Sequence, residues 1–238
     1  MKYFVVSDIH SFFDEFKKAI DEAGFDPKNE NHTLVICGDL FDRGRQPIEL
    51  IRYLNHEVPR KILIRGNHED LFEDMCKRGE PWIHDYSNGT CQTAFDLTGV
   101  DEPISFERRA SIALVKIIPL LNQMVDYYET EKYVFVHSTI PLKEDWRHAN
   151  TQEWKDARWD NPFKFWEQVG IDGKTVVFGH FHTSWAWSRD GVGSEWGTDA
   201  CFEPYYGDGF IGLDACTVVS HKVNVIVLED NLINNKMT

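Results

Sequence analysis

The chain is poor in basic residues. It has 25 lysines and arginines against 39 aspartates and glutamates, which gives a formal net charge of −14 over 238 residues. This deficit excludes non-specific binding to nucleic acid or to anionic membranes, since both need a basic surface. An anionic substrate would therefore need local positive charge from arginines or metal ions.

The chain also lacks long apolar runs and cysteine pairs. No apolar stretch approaches the roughly 18 to 20 residues that a membrane span needs, and the apolar run near the N-terminus is too short for a signal peptide. The five cysteines form no Cys-x-x-Cys pair, and their number is odd. We interpret them as reduced thiols in a reducing compartment. These observations predict a cytoplasmic protein.

The first third of the chain alternates between strand and helix patterns. Apolar strands are predicted at residues 2–7, 32–37 and 61–65, and helices at 12–23, 47–56 and 67–79. Such alternation indicates a largely parallel α/β core.

The pattern then changes. Residues 80–104 contain scattered glycine and proline and are predicted to be a loop or lid, and residues 105–126 a helix interrupted at Pro119. Four more strands are predicted at residues 132–138, 174–180, 210–215 and 224–229. Seven of the eight tryptophans fall in the second half, which predicts a second packing layer there. We expect one domain over residues 1–238, with residues 80–126 as a lid or specificity insertion.

Polar side chains follow five of the predicted strands. They are Asp8 and His10, Asp39, Asn67 and His68, His137, and His180 with His182. Because ligands bind at the carboxyl ends of strands in open α/β sheets, we expect these side chains to converge. Mixed imidazole and carboxylate ligands suit manganese, iron, zinc or a similar first-row ion. Apart from His68, seven of these side chains can serve as ligands, which is too many for one ion and fits two ions that share a carboxylate.

The segments DIH, GDLFDRG, RGNHE, VHS and GHFH, in this order, resemble the calcineurin-like metallophosphoesterase superfamily. Within it they are most similar to the phosphoprotein phosphatases, including bacterial and phage serine/threonine phosphatases. The match runs from residue 8 to about residue 182. The resemblance implies a four-layer α/β sandwich, in which two central mixed sheets are flanked by helices, with an inserted lid.

The resemblance also implies the roles of individual residues. The implied metal ligands are Asp8, His10, Asp39, Asn67, His137, His180 and His182. Asp8, His10 and His182 would bind the first ion, Asp39 would bridge, and the others would bind the second. The two ions would be manganese, with iron, zinc or nickel as alternatives.

The implied catalytic residues are His68, as the general acid that protonates the leaving oxygen, and Asp42, which would orient it. Arg43 and Arg65 would hold phosphate oxygens. Arg158 is a candidate for a further phosphate-binding arginine.

The segment CGDLFDRG has a second interpretation. Cys37 and Arg43 are spaced as the cysteine and arginine of a thiol phosphatase loop are. Such a loop surrounds phosphate with positive potential. Asp39 and Asp42 would repel a phosphate there unless metal neutralised them. We therefore interpret Cys37 as a core residue and expect metal-bound hydroxide to be the nucleophile.

Three functions remain open. The leading hypothesis is a phosphatase that acts on phosphomonoesters, with phosphoserine and phosphothreonine in proteins as the expected class. The second is a dinucleoside polyphosphate hydrolase, in which Trp185 and Trp187 would stack on bases. The third is a catalytically silent binding scaffold, which the presence of Asp39, Asn67 and His68 disfavours. The expected partner is thus a phosphorylated protein or a small phosphoester.

Overall fold

The structure is a computed structural model that describes residues 1–99, 101, 103–171 and 173–230. Within these ranges the strands form two five-stranded mixed sheets. The strands are β1 (Lys2–Val6), β2 (His32–Cys37), β3 (Lys61–Ile64), β4 (Met124–Val125), β5 (Tyr127–Glu129), β6 (Tyr133–Val136), β7 (Thr175–Phe178), β8 (Tyr205–Gly207), β9 (Phe210–Gly212) and β10 (Ile226–Glu229). The helices are α1 (Phe13–Glu22), α2 (Pro47–His56), α3 (Asn67–Arg78), α4 (Ile83–Ser87), α5 (Thr90–Thr98), α6 (Phe106–Leu121), α7 (Thr151–Ala157), α8 (Pro162–Trp166), α9 (Thr183–Arg189) and α10 (Thr217–Ser220), with a 3-10 turn at Trp146–His148.

The first sheet has the strand order β10-β1-β2-β3-β4. Strands β1 to β4 run parallel, and β10 pairs antiparallel with β1. The second sheet has the order β5-β6-β7-β9-β8, with β6, β7 and β9 parallel and an antiparallel strand at each edge. The parallel strands β1, β2 and β3, and likewise β6 and β7, therefore end at one edge of their own sheet.

Each strand presents alternate side chains to the two faces of its sheet. In β1, Phe4 and Val6 pack with the helices that cover the first sheet, whereas Tyr3 and Val5 pack between the two sheets. A third apolar cluster covers the outer face of the second sheet and contains Trp146, Trp154 and Trp166. The layers are thus helices, sheet, sheet and helices, which confirms the predicted fold class and the second packing layer.

The prediction of a loop at residues 80–104 was wrong, because helices α4 and α5 lie there. Gly89 is the N-cap and Gly99 the C-cap of α5, so these glycines bound a helix. Helix α6 also continues through Pro119 to Leu121. Pro119 is exposed in the last turn, and the carbonyl oxygen that its missing N–H would have bonded belongs to Val115, which is itself 69% exposed.

Across the described residues, no helix has both the length and the apolar character to cross a membrane.

Candidate metal centre and phosphate site

The loops that follow β1, β2 and β7 contain residues with an unusual backbone conformation. Asp8, Asp39 and His180 have φ angles of 50°, 53° and 67°, in the left-handed region that favours glycine. His10, Asp42 and Arg43 lie in the same region. Each such residue costs roughly 1 to 2 kcal/mol, so the surrounding hydrogen bonds must hold these loops in place.

Asp39 lies at the centre of the converging side chains. Its Oδ1 is 3.4 Å from His137 Nε2, and its Oδ2 is 3.7 Å from His10 Nε2 and 3.9 Å from His68 Nε2. Burial raises the pKa of Asp39, whereas positive charge at the surrounding histidines, His137 first, would lower that pKa below its usual range. Asp39 belongs to two donor groups, each with ligand atoms within 4.8 Å of one another. One group contains His10 and His68, and the other contains His137 and His180.

In the second donor group, acceptor atoms of Asn67, His137 and His180 lie close to one another. His137 Nδ1 donates a hydrogen bond to the carbonyl oxygen of Cys37 at 2.8 Å, so the neutral ring presents the lone pair of Nε2. Asn67 Oδ1 lies 2.8 Å from that atom and 3.0 Å from His180 Nδ1. Burial lowers the pKa of His137 and lowers that of His180 to about 3, so both rings are neutral. A cation among these acceptors removes their mutual repulsion, and the donor set therefore fits a divalent metal ion.

The first group is built in the same way. His10 Nδ1 donates to the carbonyl oxygen of Phe41 at 2.8 Å, which leaves Nε2 as an acceptor beside Asp39. The carboxylate of Asp8 accepts the backbone N–H of His180 at 3.0 and 3.1 Å. Burial raises the pKa of Asp8 well above its usual value, and the charge of Asp214 adds to this shift. Buried carboxylates are costly without a counter-charge, so this side of the centre also fits a divalent cation.

Asp214 was not predicted from the sequence. It is buried just beyond β9, and its Oδ1 accepts the N–H of Cys216 at 2.7 Å. Thr217 donates from its hydroxyl to the backbone oxygen of Asp8 at 3.0 Å, so the segment after β9 joins the same centre. The sequence signal was an aspartate at the end of an apolar run, as at Asp39, but the strand predicted at residues 210–215 included Asp214.

His68 and Asp42 form a buried pair. His68 Nδ1 lies 2.8 Å from Asp42 Oδ2. Burial lowers the pKa of His68, but the charges of Asp39 and Asp42 outweigh burial and raise it. Asp42 is held in turn by Thr90, whose hydroxyl donates to Oδ2 at 2.8 Å, and by Thr93, whose hydroxyl donates to Oδ1 at 2.9 Å. Helix α5 therefore supports the site directly, and neither threonine was predicted.

Glu69 also supports the loops of the site, and it was not predicted from the sequence. Its carboxylate accepts the backbone N–H groups of Gly66 at 2.8 Å, Leu40 at 2.8 Å and Asp39 at 3.0 Å. Burial, with the charge of Asp39, raises the pKa of Glu69 to about 7. Glu69 stands three residues after the N-cap Gly66, which is the capping-box spacing, and that spacing was the available signal.

The three predicted phosphate-binding arginines occupy different surroundings. Arg43 is exposed, with Nη1 at 3.0 Å from His10 Nε2 and Nη2 at 3.2 Å from His68 Nε2. Arg65 and Arg158 both donate to the carboxylate of Asp70, each at 2.7 Å. Arg65 also pairs with Glu73, and Arg158 with Asp126. Arg43 therefore faces the centre directly, whereas the other two are engaged by carboxylates.

His182 is not drawn into the two groups around Asp39. Its Nε2 lies 2.9 Å from Glu195 Oε1, and its ring lies against Phe181 and Trp196. Burial raises the pKa of Asp214, and positive charge at His182 would oppose that shift, so the ring lies near Asp214 without belonging to either donor group. Its role as a metal ligand stays a prediction.

Cys37 lies between the two sheets, as its interpretation as a core residue predicted. Its Sγ is 3.9 Å from the carbonyl oxygen of Val177, and burial raises the pKa of the thiol well above its usual value. The thiol is therefore protonated and cannot act as the nucleophile of a phosphatase loop.

Trp185 and Trp187 are packed against protein. Trp185 stacks on Phe163 at 5.7 Å, and Trp187 Nε1 donates to the carbonyl oxygen of Glu203 at 3.0 Å. The structure thus gives both rings packing partners where the sequence analysis considered them as base platforms.

Two mixed sheets, with carboxylates, imidazoles and an amide gathered at their strand ends, define a class of metal-dependent phosphoester hydrolases. The family model for calcineurin-like phosphoesterases matches residues 1–222. The chain belongs to this family, and it is a hydrolase of the metallophosphoesterase class.

Named relatives are bis(5'-nucleosyl)-tetraphosphatases. The asymmetrical enzyme of Halalkalibacterium halodurans is 28% identical over 149 residues, which cover 59% of this chain and 58% of that protein. The asymmetrical enzyme of Bacillus subtilis is 38% identical over 76 residues, which cover 29% of this chain and 31% of that protein. The chain thus spans less than two thirds of the length of these relatives.

Solved structures share the fold at low identity. A protein provisionally described as a diadenosine tetraphosphatase has a TM-score of 0.57 and 16% identity, with 98% of this chain and 91% of that chain covered. A cold-active protein-tyrosine phosphatase of a Shewanella species has a TM-score of 0.55 and 15% identity, with 97% and 76% covered. At such identities these likenesses show the fold alone.

Proposed function

We propose that this protein hydrolyses dinucleoside polyphosphates with the help of two divalent metal ions. The observation that carries the hydrolytic part is the convergence of facing acceptor atoms around Asp39. The names of the relatives favour the substrate class. This substrate was the alternative in the sequence analysis, and it now becomes the preferred one.

The proposed metal ligands are divided between two positions. Asn67, His137 and His180 would hold one ion, Asp8 and His10 the other, and Asp39 both. His182 would join Asp8 and His10 at their ion only after leaving Glu195. Manganese is the proposed metal, with iron, zinc or nickel as alternatives, because imidazole and carboxylate ligands suit these ions. When bound, the ions would lower the pKa of water and neutralise phosphoryl oxygens.

The other residues act on the substrate. His68 would donate a proton to the leaving oxygen, because the charges of Asp39 and Asp42 raise its pKa against the effect of burial and so favour the protonated ring. Asp42 would fix the ring through the 2.8 Å contact. Arg43 would bind phosphate oxygens after giving up His10 Nε2 to the metal ion, because its exposed guanidinium lies beside the centre, 3.0 Å from that atom and 3.2 Å from His68 Nε2. Arg65 and Arg158 would bind phosphate only by exchanging part of their contact with Asp70.

We also propose that the chain forms one domain and that residues 80–126 shape substrate choice. The support is that α5 contacts the site through Thr90 and Thr93, and that Gly89 lies against the backbone of Arg43, where an added Cβ would meet Arg43 N at 2.4 Å. Exchanging the segment with that of a relative tests this, and an unchanged substrate preference would contradict it.

The substrate proposal is tested with purified protein whose metal content is measured. Hydrolysis of diadenosine tetraphosphate, a phosphoserine peptide and p-nitrophenyl phosphate is compared in the presence of manganese. We expect the highest kcat/KM for diadenosine tetraphosphate, and Asp39→Asn should abolish all three activities and metal retention. Asp208→Asn, on an exposed turn, is the matched control. Preference for the phosphopeptide would reinstate the protein phosphatase hypothesis.

A further inference from the structure

Two exposed tryptophans flank the candidate metal centre. The side chains of Trp159 and Trp196 are 52% and 57% exposed. The ring of Trp159 lies 6.4 Å from the ring of His180 at an interplanar angle of 85°. The ring of Trp196 lies 4.2 Å from that of His182 at 44°. Each ring therefore leaves much of its surface open to water next to a histidine of the segment GHFH.

This exposure contrasts with the other tryptophans of the second half. Trp146, Trp154 and Trp166 are buried in the outer core of the second sheet. Trp82, in the first half, is 51% exposed, but the guanidinium of Arg78 lies 4.0 Å from its ring centroid. Exposing a large aromatic side chain forgoes the free energy of burying it. A function next to the metal centre would explain why two such rings remain open there.

The backbone under Trp159 is held firmly. Its N–H donates to the carbonyl oxygen of Asp156 at 3.1 Å, and its neighbour Arg158 is fixed by Asp70 and Asp126. The ring of His180 also forms a hydrogen bond with the backbone of Trp159. The backbone of Trp159 is thus tied to a candidate metal ligand, which keeps this residue beside the centre.

The backbone under Trp196 is pinned on both sides. Before it, the backbone oxygen of Glu195 accepts the hydroxyl of Ser184 at 2.9 Å, and the Glu195 carboxylate pairs with His182. After it, the N–H of Gly197 donates to the hydroxyl of Ser194 at 2.8 Å. A preorganised ring loses little conformational entropy when a ligand stacks on it.

The charge of the protein limits which ligand such rings can recruit. With a net charge of −14, the surface away from the centre offers an anionic substrate little attraction. Recognition of the rest of that substrate must then use neutral contacts. Stacking of a base on an aromatic ring is such a contact, and every base has a planar face suited to it. A phosphoserine side chain has no planar group to place there.

We propose that Trp159 and Trp196 are stacking platforms for the purine rings of a nucleoside phosphate whose phosphate chain lies at the Asp39 centre. The proposal rests on the proposed function and adds the residues that select a nucleotide. Two platforms, one beside His180 and one beside His182, suit a substrate with a base at each end. Trp159 and Trp196 thus take the place that the sequence analysis gave to Trp185 and Trp187.

The test compares a substrate with bases against one without. kcat/KM is measured for diadenosine tetraphosphate and for inorganic tripolyphosphate with the variants Trp159→Ala, Trp196→Ala, Trp159→Phe and Trp196→Phe. We expect each alanine variant to lower the ratio of the two values by about tenfold, mainly through KM for the dinucleotide. Each phenylalanine variant should recover most of the ratio because it retains an aromatic face. Tyr206→Ala is the control for loss of an exposed aromatic ring away from the centre, since Tyr206 is 62% exposed in β8.

The results separate this inference from the proposed function. If wild-type protein cleaves diadenosine tetraphosphate and the alanine variants keep its ratio, the platforms are refuted and the function stands. If wild-type protein does not cleave diadenosine tetraphosphate, the proposed substrate is refuted. The stacking proposal is then tested by the affinities of the variants for a non-hydrolysable ATP analogue and for tripolyphosphate. A weaker affinity for the analogue alone in the alanine variants would support stacking, and an equal loss for both ligands would refute it.

Discussion

Replacing Thr93 with valine removes a hydroxyl that holds Asp42 while it nearly conserves the size of the side chain. The hydroxyl donates to Asp42 Oδ1 at 2.9 Å and accepts the backbone N–H of Asp42 at 3.0 Å. Thr93 is fully buried in α5, so water cannot replace either bond. Threonine and valine have similar helix propensities, and the substitution therefore isolates the hydroxyl.

The magnitude follows from these two bonds. A hydrogen bond to a charged group contributes about 1.5 to 3 kcal/mol, and a buried N–H without a partner costs about 1 to 3 kcal/mol. Because contacts that share one atom are not additive, we expect the free energy of unfolding to fall by about 3 kcal/mol. For a chain of this size, 1 kcal/mol corresponds to about 2 to 4 °C in Tm. Thr93→Val should therefore lower Tm by about 6 to 12 °C.

Thermal unfolding of the metal-free protein measures this effect, with Thr93→Ser as the control. Serine keeps the hydroxyl and loses one methyl group, which costs about 1 kcal/mol. A Tm for Thr93→Val within about 2 °C of that for Thr93→Ser would refute the argument that the hydroxyl supports Asp42.

The same variant probes the orientation of His68. A leaving group that departs without a proton, such as p-nitrophenolate, needs the general acid least. Thr93→Val should therefore lower kcat/KM for phenyl phosphate more than for p-nitrophenyl phosphate. Equal losses would mean that Asp42 does not act through His68.

Three further predictions concern the centre and the sheet interior. An added Cβ at Gly179 would lie 2.0 Å from Asp8 Oδ2, so Gly179→Ala should weaken metal binding in a calorimetric titration, whereas Gly170→Ala, with open space around it, should not. Cys37→Ala should keep most hydrolytic activity, whereas Asp39→Asn should lose it. Because burial raises the pKa of the Cys37 thiol, Cys37 in the folded protein should resist iodoacetamide at pH values where exposed cysteines react. Removal of metal by a chelator should lower Tm and abolish hydrolysis, and added manganese should restore both; an unchanged Tm would show that the facing acceptors need no cation.

The sequence predicted the parts of the site that follow strands. Asp39, Asn67 and His137 each come within three residues of the end of an apolar run, and parallel strands bring their carboxyl ends together whatever their separation along the chain. The sequence did not predict helix α5. It is bounded by Gly89 and Gly99, and glycines at helix ends look like those of a loop.

The residues that the sequence did not indicate act through long-range contacts. Thr93 lies 51 residues from Asp42, and nothing near either residue in the chain points to the pair. Likewise Glu195 pairs with His182, and Asp70 pairs with Arg158 from 88 residues away. The choice among many possible acidic partners is made by tertiary packing, so the surroundings of the histidine and the arginine could not be predicted from the motifs.

Asp39 belongs to both donor groups, and this has a thermodynamic consequence. A first cation held by this carboxylate would leave a second cation a poorer donor and a neighbouring positive charge. The two binding events would therefore be linked, so that occupancy by one ion would change the affinity for the next. The centre should fill in two separable steps as metal concentration rises, so that hydrolysis tracks the weaker step and the availability of metal in the surroundings can govern how much of the protein is active.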